Sequence, residues 1–149
     1  MTDTLMTARF DGKTFIFPVR IYYEDTDLSG IVYHANYLRY MERGRTEFFR
    51  ALGIKAANIE DADPSAWAIR KLEIEYLRSA KFDDIIEVRT SVLELSGVRL
   101  TARQEIFCQD VQLTRGSVQA CIISLSGKPK RIPAEIRDKV LPFLSETVA

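Results

Sequence analysis

The run YYEDTDLSGIVYHANYLRYMERGRTEFF (22–49) limits what this chain can fold into more than any other stretch. It leaves an apolar, aromatic segment, crosses an acidic turn and enters a helical pattern without a break. The turn carries Glu24, Asp25 and Asp27 and closes on Ser29-Gly30. Asp and Thr bond local backbone in such turns, and Gly admits a positive φ. From Asn36 onward Tyr37, Tyr40, Met41, Gly44, Phe48, Ala51 and Leu52 recur three and four residues apart, which predicts a helix with one apolar stripe. Gly44 in that stripe lowers helix propensity. A close approach of the helix to a surface beneath it is the physical reason to expect glycine there. Gly53 predicts the C-cap, and Arg43 with Glu47 predicts an i,i+4 ion pair. The run thus sets a carboxylate-bearing loop beside the positive end of a helix.

The remaining segments supply a sheet. FIFPVRIYY (15–23) reads as a strand, with Pro18 marking an edge position. Residues 55–66 read as a polar loop. WAIRKLEIEYL (67–77) alternates, with Ala68, Leu72, Ile74 and Tyr76 on one side. IIEVRTSVLEL (85–95) follows, then a Ser96-Gly97 hairpin turn, then VRLTARQEIFC (98–108) with Val98, Leu100, Ala102 and Ile106 on one face. VQLTRGSVQACIISL (111–125) is long for one strand, and Gly116 suggests a bulge. AEIRDKVLPFL (134–144) predicts a short terminal helix, and residues 1–13 a disordered tail. A length of 149 residues suits a single domain, and no linker divides it. The expected class is α+β, one long helix across one curved antiparallel sheet. Such a sheet leaves its edges and one face open, so self-association is expected.

Composition excludes several functions. Lys+Arg and Asp+Glu are both 21, and nucleic-acid binders are usually clearly basic. No apolar run is long enough for a membrane span, and the N-terminal residues lack the pattern of a signal or transit peptide, so the cytoplasm is the expected compartment. Cys108 and Cys121 form no C-x-x-C or zinc spacing and are expected to be free thiols. There is no G-x-S-x-G elbow, G-x-G-x-x-G or P-loop. A carboxylate can act as general base or nucleophile, and N–H groups at a helix start can stabilise a developing oxyanion. Asp27 and the helix start near His34–Asn36 offer both within ten residues. By residue type alone, Asp27 is more often a turn residue, and a lone histidine more often a structural hydrogen-bonder.

The run YYEDTDLSGIVYHANYLRYMERGRTE, with its Asp-x-x-Gly-Ile-Val-Tyr-His-x-x-Tyr pattern, resembles the hotdog-fold acyl-CoA thioesterases. It is most similar to the Tol–Pal-associated (YbgC-type) branch of the 4-hydroxybenzoyl-CoA thioesterase family. RKLEIEYLRSAKFDD (70–84) and the helix after Ile132-Pro133 look like this branch too. The resemblance implies a helix wrapped by a curved sheet, homodimers or homotetramers, and active sites at the dimer interface. It implies an acyl-CoA substrate, with acyl carrier protein as a possible donor, and no cofactor, since coenzyme A is part of the substrate. Asp27 falls on the catalytic carboxylate. His34 falls where a helix-start N–H faces the thioester oxygen, with the imidazole as the rival actor. Gly30, Ile31, Val32 and Tyr33 fall in the substrate-binding part of the motif, and Glu42 and Glu47 could order the site from the helix. The hairpin that is basic in the 4-hydroxybenzoyl-CoA enzyme is Ser96-Gly97-Val98 here, leaving Arg99 as the candidate contact for coenzyme A. Lys128, Lys130 and Arg131 read mainly as a solvated loop. Weaker alternatives are a hotdog hydratase or dehydratase with His34 as base, and a non-catalytic acyl-thioester or envelope-complex interaction protein.

Overall fold

Alternating apolar residues turn most of the second half of the chain into long strands that curl round one helix. The computed structural model describes residues 6–60 and 62–145. Its strands are β1 (Arg9–Asp11), β2 (Thr14–Arg20), β3 (Ala57–Asn58), β4 (Ser65–Tyr76), β5 (Ile85–Leu95), β6 (Leu100–Cys108), β7 (Val111–Ser124) and β8 (Pro129–Lys130). Its helices are α1 (Asn36–Ala51) and α2 (Ala134–Val140), with 3-10 turns at Tyr23–Asp25 and Leu141–Phe143. The sheet is antiparallel in the order β1-β2-β5-β6-β7-β4-β3, and β8 pairs the end of β7. No helix among the described residues is long and apolar enough to cross a membrane.

The stripe read from the sequence is the buried face of α1 as far as Phe48; beyond it Leu52 is only partly buried and Ala51 is exposed. Tyr37, Tyr40 and Met41 enter one core cluster with Val88, Ile106 and Val118. Phe48 enters a second with Phe15, Val92 and Leu100. Each such side chain contributes roughly 1.5–3 kcal/mol by leaving water, which outweighs the helix-propensity cost of Gly44. A Cβ on Gly44 would lie 2.7 Å from Val88 Cγ1, so the expected close approach is present. Gly44→Ala should therefore lower stability by roughly 1–3 kcal/mol, as overpacking does, despite the better helix former. A denaturation midpoint equal to wild type would mean that α1 can lift off the sheet.

Several expectations change. Arg9–Asp11 is not a disordered tail: it pairs with β2 across the Asp11-Gly12 turn, and Phe10 packs on Phe15 and Phe143. Residues 1–5 of the expected tail lie outside the described residues. Pro18 lies where β1 no longer covers β2. The face assigned to β4 breaks at a bulge between Ile69 and Lys71. Trp67 and Ile69 point inward before it, and Leu72 and Ile74 after it, so Ala68 belongs to the other face. Gly116 is not a bulge. It pairs regularly with Ile74 and Gln104, and a Cβ there would collide with the Glu73 carbonyl oxygen.

In β6 the inward set is Leu100, Ala102, Gln104 and Ile106. Gln104 is wholly buried yet satisfied. Its Nε2 donates to the Met41 carbonyl and to Thr90 Oγ1, each at 2.9 Å, and its Oε1 accepts from Arg45 Nη1 at 2.9 Å. A buried amide left without partners would be costly, so this set fixes α1 along the sheet. The expected Arg43–Glu47 pair is replaced. Glu47 pairs with Arg50 at 3.2 Å, and the Arg43 guanidinium sits 5.8 Å from the centre of the Tyr40 ring. Cys108 and Cys121 are free and half-buried.

Candidate active site

Two short bridges shape the loop between β2 and α1. Thr26 pairs with Val32, and Ile31 with Lys81. Val32 N–H donates to the Ala80 carbonyl at 2.9 Å, and Val32 itself is buried. The turn at its tip closes through Gly30 N–H on the Asp27 carbonyl and Asp27 N–H on the Ile31 carbonyl, at 3.1 and 3.0 Å. Gly30 has φ +82° there, which favours glycine. Asp25 stitches the loop from behind. Its carboxylate accepts Tyr22 N–H at 2.8 Å, and its carbonyl accepts Tyr33 N–H and Asn36 Nδ2 at 3.0 and 2.8 Å.

Asp27 is exposed on this loop. Its Oδ1 accepts the Ser29 N–H at 2.9 Å and the Ser29 hydroxyl at 2.6 Å. Among the described residues nothing donates to Oδ2. The Ser29 hydroxyl, and then the Ser29 N–H, hold the Asp27 carboxyl below its ordinary value, against a smaller opposing effect of desolvation. Hydrogen bonds to the charged form favour it, so the group stays ionised to lower pH than a free aspartate. Ser29→Ala removes the larger cause. If Asp27 must be ionised for turnover, the acidic limb of kcat/KM should move up in pH in that variant; a downward move would contradict the assignment.

The start of α1 lacks a side-chain cap and has no acidic residue in its first turn. Asn36, Tyr37 and Leu38 N–H groups bond the carbonyls of Tyr33, His34 and Ala35. No acceptor faces the N–H of His34 or Ala35 among the described residues. The His34 carbonyl accepts the Tyr76 hydroxyl at 3.0 Å. Its ring is exposed, 4.6 Å from the Tyr33 ring and edge-on to Tyr76 at 6.1 Å. Asp27, Ile31, Val32, His34 and Tyr37 then meet Tyr76, Leu77, Arg78 and Ser79 round a cleft of about 270 Å³. Tyr37 is packed: it is buried, its Oη accepts Ala80 N–H at 2.9 Å, and burial pushes its hydroxyl up.

The structure brings together Asp27, Ile31, Val32 and His34, with Gly30 in the turn. Tyr33 is 48% exposed and flanks the His34 ring outside the cleft. Glu42 and Glu47 lie farther along α1 and do not line the cleft of their own chain. Arg99 lies in the β5–β6 hairpin, where its N–H bonds Ser96 Oγ, and Arg137 caps the Ser96 carbonyl. In the basic run, Lys130 pairs with Asp63 at 2.6 Å and Arg131 closes on Gly97. Sequence reasoning did not place the Tyr76–Ser79 wall in the site. The available signal was a tyrosine on the inward side at the end of an alternating strand, with the polar pair Arg78-Ser79 one residue beyond it.

One helix in a curled antiparallel sheet, with a carboxylate loop at the helix start, defines a hotdog-fold thioester hydrolase. A profile of the thioesterase superfamily matches residues 29–114. The chain is 37% identical over 124 residues to an acyl-CoA thioesterase YbgC of Haemophilus influenzae, covering 83% of this chain and 91% of the relative. It is 36% identical, over 82% and 92%, to an acyl-CoA thioester hydrolase YbgC of Escherichia coli. A crystal structure of a probable thioesterase from Bartonella henselae superposes with a TM-score of 0.76 at 35% identity, covering 80% and 98% of the two chains. The chain belongs to the thioesterase superfamily, in its YbgC-type branch.

Proposed function

We propose that the chain hydrolyses acyl-CoA to a free acid and coenzyme A, with Asp27 as general base or nucleophile. The observation that carries this reading is one cleft lined by both Asp27, with an open carboxylate oxygen, and His34, whose N–H has no acceptor among the described residues. The thioester oxygen would take the helix-start N–H groups, where the dipole and orphan donors favour negative charge. Asp27 would attack the carbonyl carbon or draw a proton from water. In this reading no cofactor is needed beyond the coenzyme A of the substrate. The names of the YbgC relatives support acyl-CoA as the substrate. A thiol-release assay over acyl-CoA esters, with acyl carrier protein thioesters in parallel, tests it. No release from any of them would reject it.

The same reading includes a homodimer, or a tetramer built from dimers, in the cytoplasm. Beyond the Ala56–Trp67 backbone bond, no strand covers the outer edge of β4 from Ala68 to Tyr76 among the described residues. An open edge of that length invites pairing with a second copy. Sedimentation at micromolar concentration should show no dominant 17.0 kDa species; a chain that sediments wholly as monomer would refute the assembly.

A further inference from the structure

The loop that carries Asp27 is a small hairpin with its base at the start of α1. Its two limbs meet in the Thr26–Val32 bridge and in the Asp27 N–H on the Ile31 carbonyl. Its lowest rung is the Tyr33 N–H on the Asp25 carbonyl, at 3.0 Å. The same carbonyl oxygen takes a second donor, Asn36 Nδ2 at 2.8 Å, from the first residue of α1. A carbonyl oxygen has two lone pairs, so both acceptor sites of the Asp25 oxygen are filled. The Asn36 N–H in turn donates to the Tyr33 carbonyl at 2.9 Å. Asn36 therefore holds both limbs at once, the outgoing limb by its side chain and the returning limb by its backbone.

The returning limb has a further anchor, in the Val32 N–H on the Ala80 carbonyl and the Ile31–Lys81 bridge. The outgoing limb, which carries Asp27, is joined to α1 through Asn36 Nδ2. The tip beyond it is bare, Leu28 being fully exposed. The Asn36 amide thus sets how the loop tilts against the helix start, and that tilt fixes the distance from the Asp27 carboxylate to the helix-start N–H groups. Asn36 does not line the Asp27 cleft. It lies behind the loop, with Asp25, Arg39 and Tyr40. We propose that Asn36 is a positioning residue for thioester hydrolysis: its side-chain amide, acting through the Asp25 carbonyl, holds the Asp27 carboxylate in register with the helix-start donors. This rests on the thioesterase reading above and deepens it by naming a residue outside the cleft on which turnover depends.

Asn36→Ala removes the amide and leaves the backbone bond to Tyr33. Alanine is the best helix former, so α1 keeps its start. Hydrogen exchange tests the clamp without turnover. The Tyr33 N–H should exchange at least about tenfold faster in the variant, as a locally opened segment does, while amides in the middle of α1 keep their wild-type rates. Unchanged exchange at Tyr33, or an equal rise throughout α1, would overturn the clamp. On an acyl-CoA ester the variant should lose at least about fivefold in kcat, towards the roughly 10²-fold that a misplacement of about 1 Å costs, with KM within about twofold of wild type. A smaller loss in kcat would overturn the positioning role. A double-mutant cycle then locates the effect. In the Asp27→Asn background, Asn36→Ala should lower the residual turnover by less than about twofold, because no carboxylate is left to hold. A larger loss there would mean that Asn36 acts on something other than Asp27, and would overturn the proposal. If the wild-type chain hydrolyses no thioester, the thioesterase reading falls, and the exchange rates alone decide whether Asn36 holds the loop.

Discussion

Asp27→Asn should lose about 10²–10⁴-fold in kcat, the range for removing a positioned acid–base group, and keep its fold and its substrate affinity. The amide oxygen of asparagine can still accept the two Ser29 bonds that Oδ1 accepts now, so the turn at 27–30 has no reason to open. What disappears is the charge and the basicity of the second oxygen. That separation makes the variant informative: a merely structural Asp27, serving the turn, would tolerate asparagine with little loss. Single-turnover measurements on one acyl-CoA ester, with binding followed separately, distinguish the two. Turnover within a few fold of wild type would move the chemistry off Asp27. Asp25 would not inherit it simply, because its carboxylate is engaged by Tyr22 N–H and does not line the cleft.

His34→Ala should lose less than the roughly 10²–10³-fold that follows deletion of an oxyanion donor. The expected donor is the backbone N–H, which survives the substitution. The ring is exposed, lies tilted against Tyr33 and makes no hydrogen bond among the described residues, to Asp27 or otherwise. What holds the His34 backbone is the Tyr76 hydroxyl on its carbonyl and the Val32–Ala80 bond two residues earlier, neither of which needs the imidazole. The acidic limb of kcat/KM should therefore remain, since the proposed mechanism assigns it to Asp27. A rival in which the imidazole protonates the leaving thiolate predicts a loss as deep as that of Asp27→Asn. A deep loss in a folded His34→Ala protein would decide for that rival.

That Asp27 and His34 meet in one cleft is legible in the sequence because the signal is local. The acidic turn, the glycine and the first helical residues are adjacent in sequence, and the turn at 27–30 is closed by bonds within the segment. The α1 stripe is legible for the same reason: its period is set by the helix, and the buried residues Tyr37, Tyr40, Met41, Gly44 and Phe48 are among those the spacing picks out, while Ala51 at its end is exposed and Leu52 only partly buried. Gly44 can even be assigned its cause, a close approach, though not its neighbour, Val88.

Other features depend on residues far apart in sequence. The bulge after Ile69 shifts the inward parity of β4; its one trace in the sequence is the polar pair Arg70-Lys71, and Ala68 beside Trp67 leaves the face before it ambiguous. Gln104 shares the face of β6 marked by Leu100, Ala102 and Ile106, where a polar residue is unexpected, and it can be buried there because Thr90, Met41 and Arg45 arrive from two other elements to satisfy it. Gly116 is readable as a glycine in a strand, but its neighbour, the Glu73 carbonyl, comes from β4 some forty residues earlier. The far wall of the cleft, Tyr76–Ser79, reaches His34 and Tyr37 only because β4 ends beside the start of α1. Local chemistry — which residue carries the charge, where the helix begins, which stripe is apolar — was set by residues within a few positions of one another, so the sequence determined it. Which strand covers the cleft, which polar groups can be buried and which edge stays open depend on pairing across long separations, and only the tertiary structure decided those.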